Sequence, residues 1–207
     1  MRKEAAQEWR ITMKKVDLHV HSTYSDGTNT PKELIKLAEN EGLSAIALTD
    51  HDTLDGIPDA LDAAKNSSVE LIPGVELSTN FNNTEVHIVG LFLDHNNKQI
   101  NDYLIYQRQS RIDRNIQMCQ KFCDIGINIT YDKMCELYPD AVITRAHFAD
   151  YLVKNKYTGD RNEAFDRYLS PGKPCFVNRH KVDPEEAIAV IHKAHGAAIL
   201  AHPVYIT

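Results

Sequence analysis

The sequence predicts an α/β protein built on a largely parallel sheet or barrel, on three grounds. Short apolar runs rich in β-branched residues alternate with amphipathic stretches over residues 14–98, which is the pattern of βα units. Histidines and carboxylates fall at or near the ends of those runs, as they do where a barrel gathers a site from several strand ends. Over residues 99–175 helical signals follow one another without strands, and the βα pattern resumes after Asp183.

The first strand is expected over residues 16–20, with His19 and His21 at its end. Residues i and i+2 of a strand share a face, so the two imidazoles project together. Neutral imidazole is the commonest protein metal ligand, and Asp26 in the following Ser-Asp-Gly turn adds a hard oxygen. Two ordinary strand histidines would give the same H-x-H spacing. A helix over 31–40 has Thr30 as N-cap, Pro31 at its first position, Glu33 in the capping-box place and Gly42 to stop it. Residues 45–48 form the second strand, leading into Thr49-Asp50-His51-Asp52-Thr53, and residues 57–65 the second helix. The third strand covers 70–72 and runs to Gly74, just before Glu76. A fourth over 85–92, holding His87, pairs with 77–81 through an Asn82-Asn83 turn.

A long helix over 100–125 then carries Arg108, Arg111 and Arg114 at intervals of three, ending at Gly126. Further helices are expected over 130–138, 145–155 and 162–168. The return to the first pattern is a helix over 184–193, capped by Asp183, and a strand over 197–201 that ends at His202. The organisation is therefore an N-terminal extension (1–13), an α/β barrel unit (14–98 and 176–207) and a helical insertion (99–175).

With 207 residues, 43% hydrophobic and 25% charged, the chain suits one soluble domain or a domain with an insertion. A net charge of -6 argues against a general nucleic-acid surface, leaving local basic clusters open. No apolar run approaches membrane-spanning length, and residues 1–10 lack the apolar region of a signal peptide. Cys119, Cys123, Cys135 and Cys175 form no C-x-x-C pair and read as reduced thiols in a cytoplasmic protein.

Five ordered motifs carry a family resemblance: Asp17-Leu18-His19-Val20-His21-Ser22, Leu48-Thr49-Asp50-His51-Asp52-Thr53, Pro73-Gly74-Val75-Glu76-Leu77-Ser78, Val86-His87-Ile88-Val89-Gly90 and Leu200-Ala201-His202-Pro203. Together they resemble the PHP (polymerase and histidinol phosphatase) family. Ile143-Thr144-Arg145-Ala146-His147 and the segment 168–174 are similar to the branch of nucleoside 3′,5′-bisphosphate phosphatases, which also includes 5′ to 3′ exonucleases on short RNA. The resemblance implies a distorted (β/α)7 barrel with up to three divalent metals at the strand ends. His19, His21 and Glu76 would hold the first, Glu76, His87 and His202 the second, and Asp26 and His51 the third. Asp26, His51 and Glu76 would then be the catalytic carboxylates and imidazole.

The family carries a further segment after the His-Pro motif, with an Asp-x-His that caps metals one and three. The present sequence stops at Thr207. The expectation is an incomplete barrel with under-coordinated first and third sites, and an open sheet edge that favours a homodimer.

A mixed nitrogen and oxygen donor set suits Mn²⁺ first, or Zn²⁺ or Fe²⁺, better than Ca²⁺, and clustered metals suit phosphoester hydrolysis by activated water. Asp50 and Asp52 either orient a ligand histidine or cap backbone N–H groups. Arg111 and Arg114 share a helix side. With Arg145 and His147 they would hold a second phosphate or a nucleotide backbone, the alternative being a solvated face with surface ion pairs. Tyr205 either stacks on a base or simply packs. The leading expectation is a phosphoesterase acting on a nucleoside 3′,5′-bisphosphate or short RNA or DNA ends, away from membranes. The rivals are a histidinol-phosphate-type phosphatase and an inactive metal-binding remnant.

Overall fold

The computed structural model describes residues 14–82, 84–178 and 182–205; the N-terminal extension read over 1–13, and Asn83 of the turn, lie outside them. Strand β1 (Lys15–Val20) leads through the Asp26 loop to helix α1 (Pro31–Asn40). The Thr30 hydroxyl accepts from the Glu33 amide while Glu33 accepts from the Thr30 amide, so the capping box forms as its sequence dictates. Strand β2 (Leu43–Leu48), helix α2 (Ile57–Ala64) and strand β3 (Glu70–Phe81) follow. β4 (Thr84–Leu91) returns along β3, and β5 (Ala197–Leu200) completes a five-stranded sheet in the order β1-β2-β3-β4-β5.

The sheet is mixed rather than largely parallel. β1, β2 and β3 run parallel, whereas β4 is antiparallel to both β3 and β5. The reason is the connection: a hairpin too short for a crossover can only reverse the chain, and Asn82 takes the positive φ of 48° that such a turn needs. β3 is also one continuous strand, not two segments parted at Pro73-Gly74. Its first part pairs with β2 and its second with β4, from Gly74 opposite Leu91 to Phe81 opposite Thr84. A Cβ at Gly74 would lie 2.8 Å from the Gly90 carbonyl oxygen and 2.8 Å from the Thr49 methyl. Glycine there marks a close approach of three segments rather than a strand end.

The curled sheet has a helix-covered outer face and a tighter inner face. Outside, Ile46, Leu48, Leu71, Val75, Leu77 and Ile88 pack in one core with residues of α1, α2 and helix α7 (Pro184–Lys193). Inside, small and branched side chains (Ala45, Ala47, Ile72, Val89, Leu91 and Ala201) fill the floor. The 27-residue helix α3 (Lys98–Asp124), capped by Asn97, crosses between two cores. Ile100, Tyr103 and Leu104 belong to the sheet core. Met118, Cys119 and Phe122 belong to a second core with Met134 of α4 (Tyr131–Leu137) and Phe148 and Leu152 of α5 (Arg145–Lys154). The short segment after it begins as α6 (Arg161–Ala164) and widens into a π turn over Phe165–Leu169.

Candidate metal centre and anion pocket

All seven side chains expected to bind metal come together at one rim of the sheet. β1, β2, β3 and β5 point the same way, so the ends of β1 and β2 and the second residue after β5 deliver His19, His21, His51 and His202 to that rim. Reversed β4 starts there, placing His87 opposite Ser78 and two residues from Val89, which faces Glu76.

Glu76 is the hub and is 1% exposed. Its Oε2 lies 3.1 Å from His19 Nε2, 3.1 Å from His21 Nε2 and 3.3 Å from His51 Nδ1. Its Oε1 lies 2.8 Å from both His87 Nδ1 and His202 Nε2. Asp26 stands on the far side of His51 and His21, 3.5 Å from His51 Nε2 and 3.6 Å from His21 Nδ1. The loop that carries it closes through the Gly27 amide, which donates to the Ser22 carbonyl at 3.0 Å. A Cβ on Gly27 would sit 2.1 Å from the His21 carbonyl oxygen.

The electrostatics match this crowding. Burial alone would raise the Glu76 pKa, but hydrogen bonds from His19, His21 and His87 hold its carboxyl far below the usual range. Burial works against His87 too, yet bonds to Glu76 and Glu85 push it up to about 9. Burial depresses His51 to about 4. Its Nδ1 is buried and makes no hydrogen bond. Three donor sets (His19-His21-Glu76, His21-Asp26-His51 and His51-Glu76-His87) each have ligand atoms within 4.8 Å of one another. A buried carboxylate, an orphaned imidazole nitrogen and converging nitrogen and oxygen donors fit a cluster of divalent metals.

The two aspartates beside His51 do what the plainer expectation said: they bind backbone. Asp50 accepts from the Ser22 amide at 2.7 Å and from the hydroxyls of Ser22 and Ser25, at 2.6 Å each. Ser25 Oγ lies 3.3 Å from His21 Nδ1, so Asp50 also reaches a ligand candidate at one remove. Asp52, at a positive φ of 50°, accepts from the Ser78 amide at 3.0 Å and pairs with Arg111.

Arg111 and Arg114 are therefore not a solvated helix face. Each is 6% exposed. With Arg145 they line a cleft of about 170 Å³ that also contains Asp26, His51 and His87. Arg145, which opens α5, pairs with Glu85, and its guanidinium lies 5.6 Å from the centre of the Phe176 ring. Arg108, one turn back, leaves the cleft for Thr53 and Asp55.

His147 departs from its expected role as a phosphate-holding cation. Its Nδ1 accepts from the Thr144 amide at 2.9 Å, its ring also bonds the Ser25 backbone, and burial lowers its pKa. The ring is a neutral brace, while Thr144 donates to Asp26 Oδ2 at 3.2 Å. Tyr205 closes a short 3-10 turn after His202, but its side chain lies outside the described residues. Sequence reasoning missed Glu85, Phe176 and Thr144 as neighbours of the site. Their places follow from strand register and long-range packing, and only Thr144 had a local signal, as a helix cap.

No helix among the described residues is long and apolar enough to cross a membrane. Over 191 residues the chain is 44% identical to a 5′-3′ exoribonuclease of Haemophilus influenzae, covering 92% of this chain and 69% of that protein. Over 194 residues it is 37% identical to a 3′,5′-nucleoside bisphosphate phosphatase of Chromobacterium violaceum, covering 92% and 67%. A crystal structure from Bifidobacterium adolescentis, assigned as a metal-dependent phosphoesterase, superposes with a TM-score of 0.85 at 28% identity, covering 91% of this chain and 67% of that one. The chain thus spans about two thirds of the length of the relatives it matches. The PHP domain matches residues 17–197, with every histidine and carboxylate of the rim except His202 inside the match, and the chain belongs to the PHP domain family.

Proposed function

We propose that this chain is a metal-dependent phosphoesterase that hydrolyses a phosphomonoester of a nucleoside 3′,5′-bisphosphate-like nucleotide, or acts on short oligonucleotide ends. The observation that carries the reading is Glu76, a buried carboxylate ringed by five imidazoles, with three arginines on the adjoining wall. His19, His21 and Glu76 hold one ion, Glu76, His87 and His202 a second, and Asp26 and His51 a third, Mn²⁺ being the first choice and Zn²⁺ or Fe²⁺ the next. Bound divalent ions supply Lewis acidity and a water that ionises near neutral pH.

The chain's own residues do the rest. The Asp50–Ser25 link fixes the His21 ring. Asp52 and Ser78 hold the Arg111 fork rigid at the cleft. Arg111, Arg114 and Arg145 take the phosphate that is not cleaved, through paired N–H donors. This anion pocket favours a doubly phosphorylated substrate over histidinol phosphate. The four cysteines are free thiols, which fits a reducing cytoplasm. β1 and β5 are the outer strands of the sheet and expose Val16, Leu18, Ile199 and Leu200; a homodimer through these edges belongs to the same reading.

The test is phosphate release from adenosine 3′,5′-bisphosphate and mononucleotide or phosphate release from a 5′-phosphorylated RNA trinucleotide, with Mn²⁺ and with EDTA. Turnover that EDTA abolishes is the expected result; no release from either substrate by the folded, Mn²⁺-supplied chain would refute the proposal. Arg145→Ala should raise KM for the bisphosphate about tenfold or more, the usual worth of a charge-assisted contact, and change KM for a simple aryl phosphate little. Equal changes would remove Arg145 from the second-phosphate site.

A further inference from the structure

Glu85 is an acidic residue set directly among the arginines of the anion pocket, where its charge opposes the pocket. It lines the small cavity formed with Ser78, Thr79, Arg111, Arg114, Arg145, Phe176 and Val177. One carboxylate oxygen pairs with Arg145 and the other lies 3.4 Å from His87 Nε2. Its side chain remains 34% exposed, against 18% for Arg145. Glu85 sits on β4 one residue after its start, beside the hairpin turn, so its backbone is fixed while its side chain has solvent to move into.

We propose that Glu85 is a specificity latch, an internal anion that occupies Arg145 until a phosphate dianion displaces it. This rests on the reading of the arginines as a phosphate site. A carboxylate carries one charge and a phosphate close to two, with more acceptor oxygens for three guanidinium groups. A dianion therefore outcompetes Glu85, while a neutral or singly charged substituent does not. A substrate without the second phosphate leaves the pair closed, with the Glu85 charge facing its own. Selectivity thus comes partly from repulsion, and not from attraction alone. The contact with His87 keeps the displaced carboxylate close and returns it when product leaves.

The experiment is a calorimetric titration of inorganic phosphate into the full chain, as purified and after metal removal. It compares the wild type with Glu85→Gln, Arg145→Lys, Arg145→Ala and the double variant Glu85→Gln/Arg145→Ala. Glutamine keeps the shape and an acceptor for His87 but removes the competing charge. Glu85→Gln should tighten phosphate binding roughly two- to fivefold, the range expected for losing a partly exposed ion pair. The gain should vanish in the double variant, because it acts through Arg145. A purely structural role for Glu85 would weaken binding or leave it unchanged, and would not depend on Arg145. If Arg145→Ala weakens phosphate binding but Glu85→Gln does not tighten it, the latch is wrong and the phosphate site stands. If neither arginine variant changes phosphate binding, the phosphate site fails and the latch with it.

Discussion

Glu76 touches five imidazoles because β3 continues straight through Pro73-Gly74 and buries the carboxylate beneath the rim, between residues drawn from four other segments. In the absence of metal, protons on His87 and His21 take over part of the role of the ions. Both pKa values are raised, His87 from 6.5 to about 9. Burial lowers both, and the carboxylates around them override it. A histidine whose folded pKa exceeds its unfolded one gives stability that is complete below pH 6.5 and lost as pH climbs through about 9. Thermal melts in EDTA should therefore show the chain losing up to about 3 kcal/mol across that window. With saturating Mn²⁺ the trend should reverse, since metal binding needs the deprotonated ligands. A metal-free Tm that rises from pH 6.5 to 9 would contradict the assignment. Arg111→Ala should cost about 3–5 kcal/mol in urea unfolding, because it breaks the buried ion pair between Arg111 and Asp52. The seven ligand candidates were legible in the sequence because they fall in ordered motifs at, near or within short apolar runs. Glu85 was not, since its meaning depends on Arg145, sixty residues away, being packed against it.

Helix ends were the most legible elements. Thr30, Thr144 and Asp183 each cap the helix that their side-chain chemistry predicts. Strand direction was less legible: an apolar run records that a strand exists, while its neighbour and sense are decided by the length of the connection. The Asp26 loop shows how an element imposes a residue. Gly27 is required because any side chain there meets the His21 carbonyl. Gly27→Ala should move Asp26 away from His51 and reduce the number of bound Mn²⁺ ions by one, while far-ultraviolet circular dichroism stays unchanged. Unaltered metal stoichiometry in that variant would show that Asp26 is dispensable for the third ion.

At the scale of the whole molecule, the metal ligands come from the sheet and its loops, whereas Arg111, Arg114 and Arg145 come from helices of the second core. The helical run was legible in the sequence as a break in the βα pattern. That it carries its own core, centred on Phe122 stacked 6.0 Å from Phe148, required the structure. Phe122→Ala should cost about 3–5 kcal/mol, and should raise KM for bisphosphates more than it weakens Mn²⁺ binding. The converse, metal lost and KM kept, would mean the two cores do not divide the work in this way. Helix α3 joins them, and its arginines lie at the point where its buried face passes from one core to the other. Such a layout separates two kinds of inheritance. On the proposed reading of the arginines, changes in the helices can redraw which phosphates are accepted while the rim of metal-ligand candidates stays intact, so a lineage can explore new substrates without first surrendering its hydrolytic chemistry.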